Sequence, residues 1–261
     1  TKAASVALNA GAVSPLGRWY AAAIKTVNAT SISAAAGIGP VAPASMISIY
    51  GANLAATSAS ATSLPLPTTL AGSSATVTDA TGIQASLPLF FAGPSQINAE
   101  IPASAAPGPG VITINTPSGA VVSAMVLNPV APSLFSANET GQGVAAAQFV
   151  TNENGKQTTI DIFSSCVAGS CAAVPLEVGS SGQSALVLYG TGIQNRHALS
   201  DVSVTIGSQT LPAAYAGPAP GFVGLDQVNV LLPPRLAGSG TVNISVSVAG
   251  AISNAVTATL R

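Results

Sequence analysis

Two stretches of this chain, PSQINAEIPA at 94–103 and LDQVNVLLPP at 225–234, share the spacing Gln-x-Asn-x-x-x-Pro, and each lies inside a longer series of matching blocks. The first half runs SMISIYGANL (45–54), SSATVTDATGIQASLPLFFAGP (73–94), SQINAEIP (95–102), GVITINTPSG (110–119) and VSAMVLNP (122–129). The second half answers in the same order with SALVLYGTGI (184–193), SDVSVTIGSQTLPAAYAGP (200–218), DQVNVLLP (226–233), GTVNISVSVAG (240–250) and NAVTATL (254–260). Five blocks in one order, anchored by Tyr-Gly, Ala-Gly-Pro and Gln-x-Asn, mark an internal duplication. Such a chain must fold as two similar units.

Within the blocks apolar residues alternate, as in Val202, Val204 and Ile206 or Ile244, Val246 and Val248, which is the period of a strand with one buried face. Gly, Pro, Asn and Ser interrupt these runs at short intervals, so the strands are short and joined by turns. The pattern predicts an all-β chain: two tandem immunoglobulin-like antiparallel β-sandwiches preceded by an N-terminal arm. The boundaries are 1–30 for the arm, 31–136 for the first unit and 137–261 for the second. The repeat hallmark is Tyr50, Gln96, Asn98 and Pro102 in one copy and Tyr189, Gln227, Asn229 and Pro233 in the other. Gln and Asn share one strand face, opposite the apolar one. Their amides are expected to tie neighbouring loops, including Ala-Gly-Pro, to the sheet; an exposed amide ladder at a subunit contact is the functional alternative.

Charge narrows the function classes. Only 6% of residues are charged, against roughly 25% in an average soluble domain. Between Thr26 and Asn138 the only charges are Asp79 and Glu100. A surface so neutral lacks the repulsion that keeps monomers apart, which favours self-association or a glycan cover. The seven basic residues are scattered, so the electrostatic footprint of nucleic-acid binding is missing. The uncharged run from Thr26 to Thr78 is broken by Gly37, Gly39, Pro40, Pro43, Asn53, Pro65 and Pro67, so it does not read as a membrane span.

Cys166 and Cys171, in CVAGSC, are the only cysteines. Their spacing is not that of a CxxC redox motif, and with a single histidine they complete no zinc site. A local disulfide at a hairpin tip is the expected state, and it implies an oxidising compartment. The chain starts at Thr1, with methionine only at 46 and 125, which fits a product after signal-peptide removal. The expected setting is extracellular or at the cell surface.

VLYGTGI, YAGPAPGFVGLDQVNVLLPPRLAGSG and GVAAAQFVTNENGKQTTIDIF followed by AAVPLEVG resemble the Solibacter-type C-terminal domain of secreted acidobacterial proteins, over roughly Ser31 to Leu260. Each copy is also similar to the IPT/TIG branch of immunoglobulin-like domains. The resemblance implies secretion and a sandwich fold, and it brings no catalytic residue to carry over. The module usually ends a longer protein; here it reads as nearly the whole product.

Catalytic signals are sparse. His197 lies in the polar loop GIQNRHALSD, no Gly-x-Ser-x-Gly elbow is present, and the spacing sets no two carboxylates across a cleft. TNENGK at 151–156 reads as a hairpin turn rather than a calcium loop. The chain is expected to be no enzyme and to need no cofactor or metal. Asn28, Asn138 and Asn243 fit the glycosylation acceptor pattern.

Residues 1–30 match neither repeat. Val6, Leu8 and Ala10 share one side of a candidate strand, and Trp19, Tyr20 and Ile24 form a second apolar piece. An extended arm of this kind can complete the open sheet edge of a neighbour by strand addition, and head-to-tail contacts then build a filament. The alternatives are an arm packed on its own unit as a strand or as a short helix over 18–27, and an unstructured arm. The sequence therefore points to an extracellular structural protein, a self-assembling subunit with itself as partner. The second reading is a secreted adhesion or carbohydrate-binding module with glycan as partner.

Overall fold

A computed structural model describes residues 29–37, 39–153, 155–179 and 183–261. The arm positions Val6, Leu8, Ala10, Trp19, Tyr20 and Ile24 lie outside the described residues, as does Asn28. Apart from two single 3-10 turns, Leu199–Asp201 and Pro234–Leu236, every regular element among the described residues is a strand. The alternation in the sequence produces them directly: Ser184–Thr191 and Asp226–Leu232 bury every second side chain along most of their length.

The first half forms two antiparallel sheets. One has the order Ala29–Ser33, Met46–Gly51, Gln96–Glu100, Leu89–Ala92, Ala59–Ser60; the other runs Gly119–Leu127, Gly108–Thr116, Ser73–Thr78, Thr69–Leu70. The second half repeats the central pairings. Ser184–Thr191 pairs Asp226–Leu232 as Met46–Gly51 pairs Gln96–Glu100, and Val202–Ile206 pairs Gly240–Val248 as Ser73–Thr78 pairs Gly108–Thr116. It adds the hairpin Ala147–Glu153 with Lys156–Asp161, turned at Gly155 (φ 78°), and the small ribbon Phe163–Val167 with Ser170–Ala173.

Buried apolar residues fall into two clusters that follow the duplication. Ile47, Ile49 and Ile97 from one sheet meet Ala75, Val77 and Ile112 from the other. Leu186, Leu188 and Val228 likewise meet Val204 and Val246. Each large aliphatic chain withdrawn from water in this way stabilises its unit by about 1.5–3 kcal/mol. Val130 and Leu134 belong to the second cluster, and Ser133–Leu134 pairs with Ser184–Thr191. Residues 130–136, grouped with the first unit in the sequence, thus pack with the second.

Most of the described aromatics stand outside the core. Tyr50 is 44% exposed, Tyr215 37% and Phe222 66%, and Phe149 is the one aromatic among the buried described residues. Aliphatic side chains fill the rest of both cores, leaving tyrosine rings on the outer sheet faces.

Candidate functional site

The hallmark residues occupy equivalent places in the two units. Gln96 Nε2 donates to Asn98 Oδ1 at 2.7 Å, and Gln227 Nε2 donates to Asn229 Oδ1 at 2.8 Å. The amides therefore bond to each other along the strand face instead of reaching the Ala-Gly-Pro loops. In the first copy Ser48 Oγ also donates to Asn98 Oδ1. The Ala-Gly-Pro loops are held by main chain, with Gly93 N donating to Gln96 O and the Tyr215–Pro218 strand pairing Asp226–Leu232. Pro102 and Pro233 each begin a turn, accepting from Ala105 N and Leu236 N at 3.0 Å.

The glycines that follow Tyr189 sit where the chain must pass closely. Gly190 and Gly192 lie under the segment that links the two units, and a Cβ at either would strike the carbonyl oxygen of Ser133 or Ala131. Gly192 also holds φ at 76°.

On the outer sheet face of the second unit the register aligns Asp161, Gln148, Val187, Asn229 and Tyr215 in one row. Tyr189, Gln227 and Gly217 form the next. Tyr189 Oη donates to Gln148 Oε1 at 3.1 Å, and Tyr215 Oη donates to Pro218 O at 2.7 Å, so its ring lies beside Gly217, where a Cβ would stand 3.2 Å from the hydroxyl. The resulting shallow depression of about 420 Å³ includes Gln148, Gln157, Tyr189, Gln227 and Asn229 in its lining. Amides and a phenol of this kind present donors, acceptors and ring faces without net charge.

The sheet edges differ between the copies. In the second, Leu176 N donates to Thr259 O and Arg261 N to Leu176 O; two residues earlier, Thr257 N donates to Gly143 O at 2.7 Å and Ala145 N to Thr257 O at 2.9 Å. The last strand is covered along its outer side by parallel segments. The first copy reproduces only one half of this cover: Val41 N donates to Val126 O and Asn128 N to Val41 O. Because strand groups alternate sides, Ala124, two residues before Val126, turns its N–H and C=O outward like Thr257. Among the described residues nothing pairs with that side of Ala124. Beside it lies a mainly apolar groove of about 560 Å³ lined by Ser31, Val41, Ala124, Met125 and Val126. Ser31 Oγ donates to Ser123 Oγ at 2.7 Å and joins the two sheets at this edge.

Other candidates from the sequence are placed as follows. Cys166 and Cys171 are joined by a disulfide across the exposed ribbon, with Cα atoms 4.0 Å apart. Asn138 has its amide engaged, accepting from Ser136 Oγ and Thr140 Oγ1 and donating to Gly169 O, whereas Asn243 is exposed on a strand. His197 is exposed. Asp79, buried in a turn, accepts from Thr81 N, Thr81 Oγ1, Ile83 N and Ala106 N. These bonds, led by that from Ala106, hold its carboxyl down at about 2, which marks a structural turn. Among the described residues no three His, Cys, Asp or Glu side chains gather into a metal-ligating group, and no helix is long and apolar enough to cross a membrane.

No protein-family model matches the chain, and no curated protein sequence matches it. Among solved structures the chain is similar to SGBP-B from a complex xyloglucan utilization locus in Bacteroides uniformis, with 12% identity and a TM-score of 0.25. The match covers 85% of this chain and 46% of that one, so the chain spans less than half of that protein's length.

Proposed function

We propose that the chain is a subunit of an extracellular structural assembly, a filament or surface layer, in which the N-terminal arm of one subunit adds as a strand to the open edge at Ala124 of another. The observation that carries this reading is the internal comparison: the place that Gly143–Ala145 fills beside Thr257 has no described occupant beside Ala124. The alternating Val6, Leu8 and Ala10 suit a mainly apolar groove, and two main-chain hydrogen bonds of the kind that Thr257 makes supply register. In this reading the units are two immunoglobulin-like sandwiches of the Solibacter type, non-catalytic and exported, with the Cys166–Cys171 disulfide formed in an oxidising compartment.

Electron microscopy and particle mass test it. The full chain is expected to polymerise. Ala124→Pro, which removes the outward N–H, and a variant lacking residues 1–28, which leaves the strand Ala29–Ser33 whole, are each expected to stay folded and monomeric. Mixed together they should form a complex of limited size, since one still offers an arm and the other an edge. A full-length chain that stays monomeric under all conditions overturns the proposal, as does polymer of unchanged mass from Ala124→Pro.

A second reading, a glycan-binding adhesin, is favoured by the uncharged amide and tyrosine surface around Tyr189 on the second unit. Sugar rings stack on aromatic faces and hydrogen-bond to amides. Affinity electrophoresis through neutral polysaccharides should then show retardation that Tyr189→Ala weakens at least several-fold; migration unaffected by every polysaccharide would dismiss it.

A further inference from the structure

Asp226 is a carboxylate on the core-facing side of its strand, followed on that side by Val228, Val230 and Leu232, and it is 0% exposed. Its Oδ2 accepts from Ile193 N at 2.7 Å, while Oδ1 has no hydrogen-bond partner among the described residues. The equivalent residue in the first copy is Ser95, which is exposed. The repeat itself therefore asks for no carboxylate here; the one in the second copy bonds the loop that makes the contact between the two units.

That contact is made by the loop that Asp226 holds. Met46 N donates to Thr191 Oγ1 at 2.8 Å, Thr191 Oγ1 donates to Gly224 O at 2.9 Å, Gln194 Nε2 donates to Ala44 O at 3.0 Å and Asn195 Nδ2 donates to Pro43 O at 2.6 Å. Gly224 lies against Met46 and Glu100, where a Cβ would stand 2.7 Å from Met46 Cγ and 3.6 Å from Glu100 Cγ. Arg196 continues the loop, and its Nε is also buried without a partner among the described residues. Three ionisable groups, Asp226 and Arg196 from one unit and Glu100 from the other, thus meet at the joint.

We propose that this joint is a pH-responsive hinge, in which protonation of Asp226 tightens the grip of residues 191–196 on the first unit and deprotonation loosens it. Desolvation pushes the Asp226 carboxyl up to about 6, against the Ile193 and Gln194 N–H groups and Arg196, which pull it down, and with Glu100, which pushes it up. Burial also raises Glu100. A carboxyl raised in the folded state binds its proton more tightly there than in the unfolded chain. Its stabilising contribution is complete below the ordinary value of 3.8 and is lost as pH rises through about 6. The joint consequently slackens as pH rises from 3.8 to about 6, the reverse of a salt-bridged carboxylate.

Hydrogen exchange on the full chain tests this, comparing the amides of Ile193–Asn195 with those of Val204 and Val246 in the core after correction for intrinsic rates. In the wild type, protection at the loop should fall by about tenfold between pH 5 and pH 8 while the core amides hold. Asp226→Asn should abolish that pH dependence. Glu100→Gln, outside the core and expected to fold even where Asp226→Asn does not, should move the midpoint to lower pH, since it removes a neighbouring negative charge. Loop protection independent of pH in the wild type, or a midpoint unmoved in Glu100→Gln, overturns the proposal.

Discussion

Glycine 192 shows how one residue decides a path. Its φ of 76° and its closeness to the Ala131 carbonyl leave no room for Cβ. Gly192→Ala is expected to cost about 2 kcal/mol or more, from the left-handed backbone and from displacement of the linker, and thermal unfolding should show it as a lowered midpoint. Tyr-Gly is legible in the sequence as a repeat anchor, but the reason for the glycines that follow Tyr189 is not, because the segment that crosses them lies some 60 residues earlier in the chain. Asp226 is hidden for a related cause. At the start of an alternating strand an aspartate reads as a polar flank, and its burial and its bond to Ile193 N depend on tertiary packing that no local pattern shows. Alternation tells which residues share a face and not which face meets water; Tyr50 pairs with Gln96 on the outer side.

At the scale of elements, the strands and their order follow from alternation and from the repeat, since two copies of one pattern constrain each other. The hairpin at Gly155 and the ribbon closed by Cys166 and Cys171 are equally readable, for both are local. The ribbon stands outside both apolar clusters, so the disulfide orders a projection and not a core. Replacing both cysteines with serine is expected to lower stability by about 2 kcal/mol or less, the scale for so short a closed loop. Hydrogen exchange should locate the change in residues 163–173, with the amides of Val204 and Val246 unaffected. That Ala124 has no partner on its outer side among the described residues is not legible in the sequence. It emerges only when the hydrogen bonds of the two copies are compared, because the segment covering Thr257 comes from residues 143–145, which have no counterpart in the first copy's blocks.

Across the whole molecule the two units share a pattern but not their roles. The loop Ala219–Leu225 lies between Ala-Gly-Pro and the Gln-x-Asn strand in the second copy, where the first passes from Pro94 straight to Ser95 and Gln96. Gly224 in that loop is what meets Met46 and Glu100. The first unit carries the receiving end and the second carries the inserted loop. Two units that repeat the same central strand pairings thereby become a body with a distinguishable front and rear. Any row of such bodies laid head to tail inherits an arrow, and growth at its two ends would present chemically different surfaces.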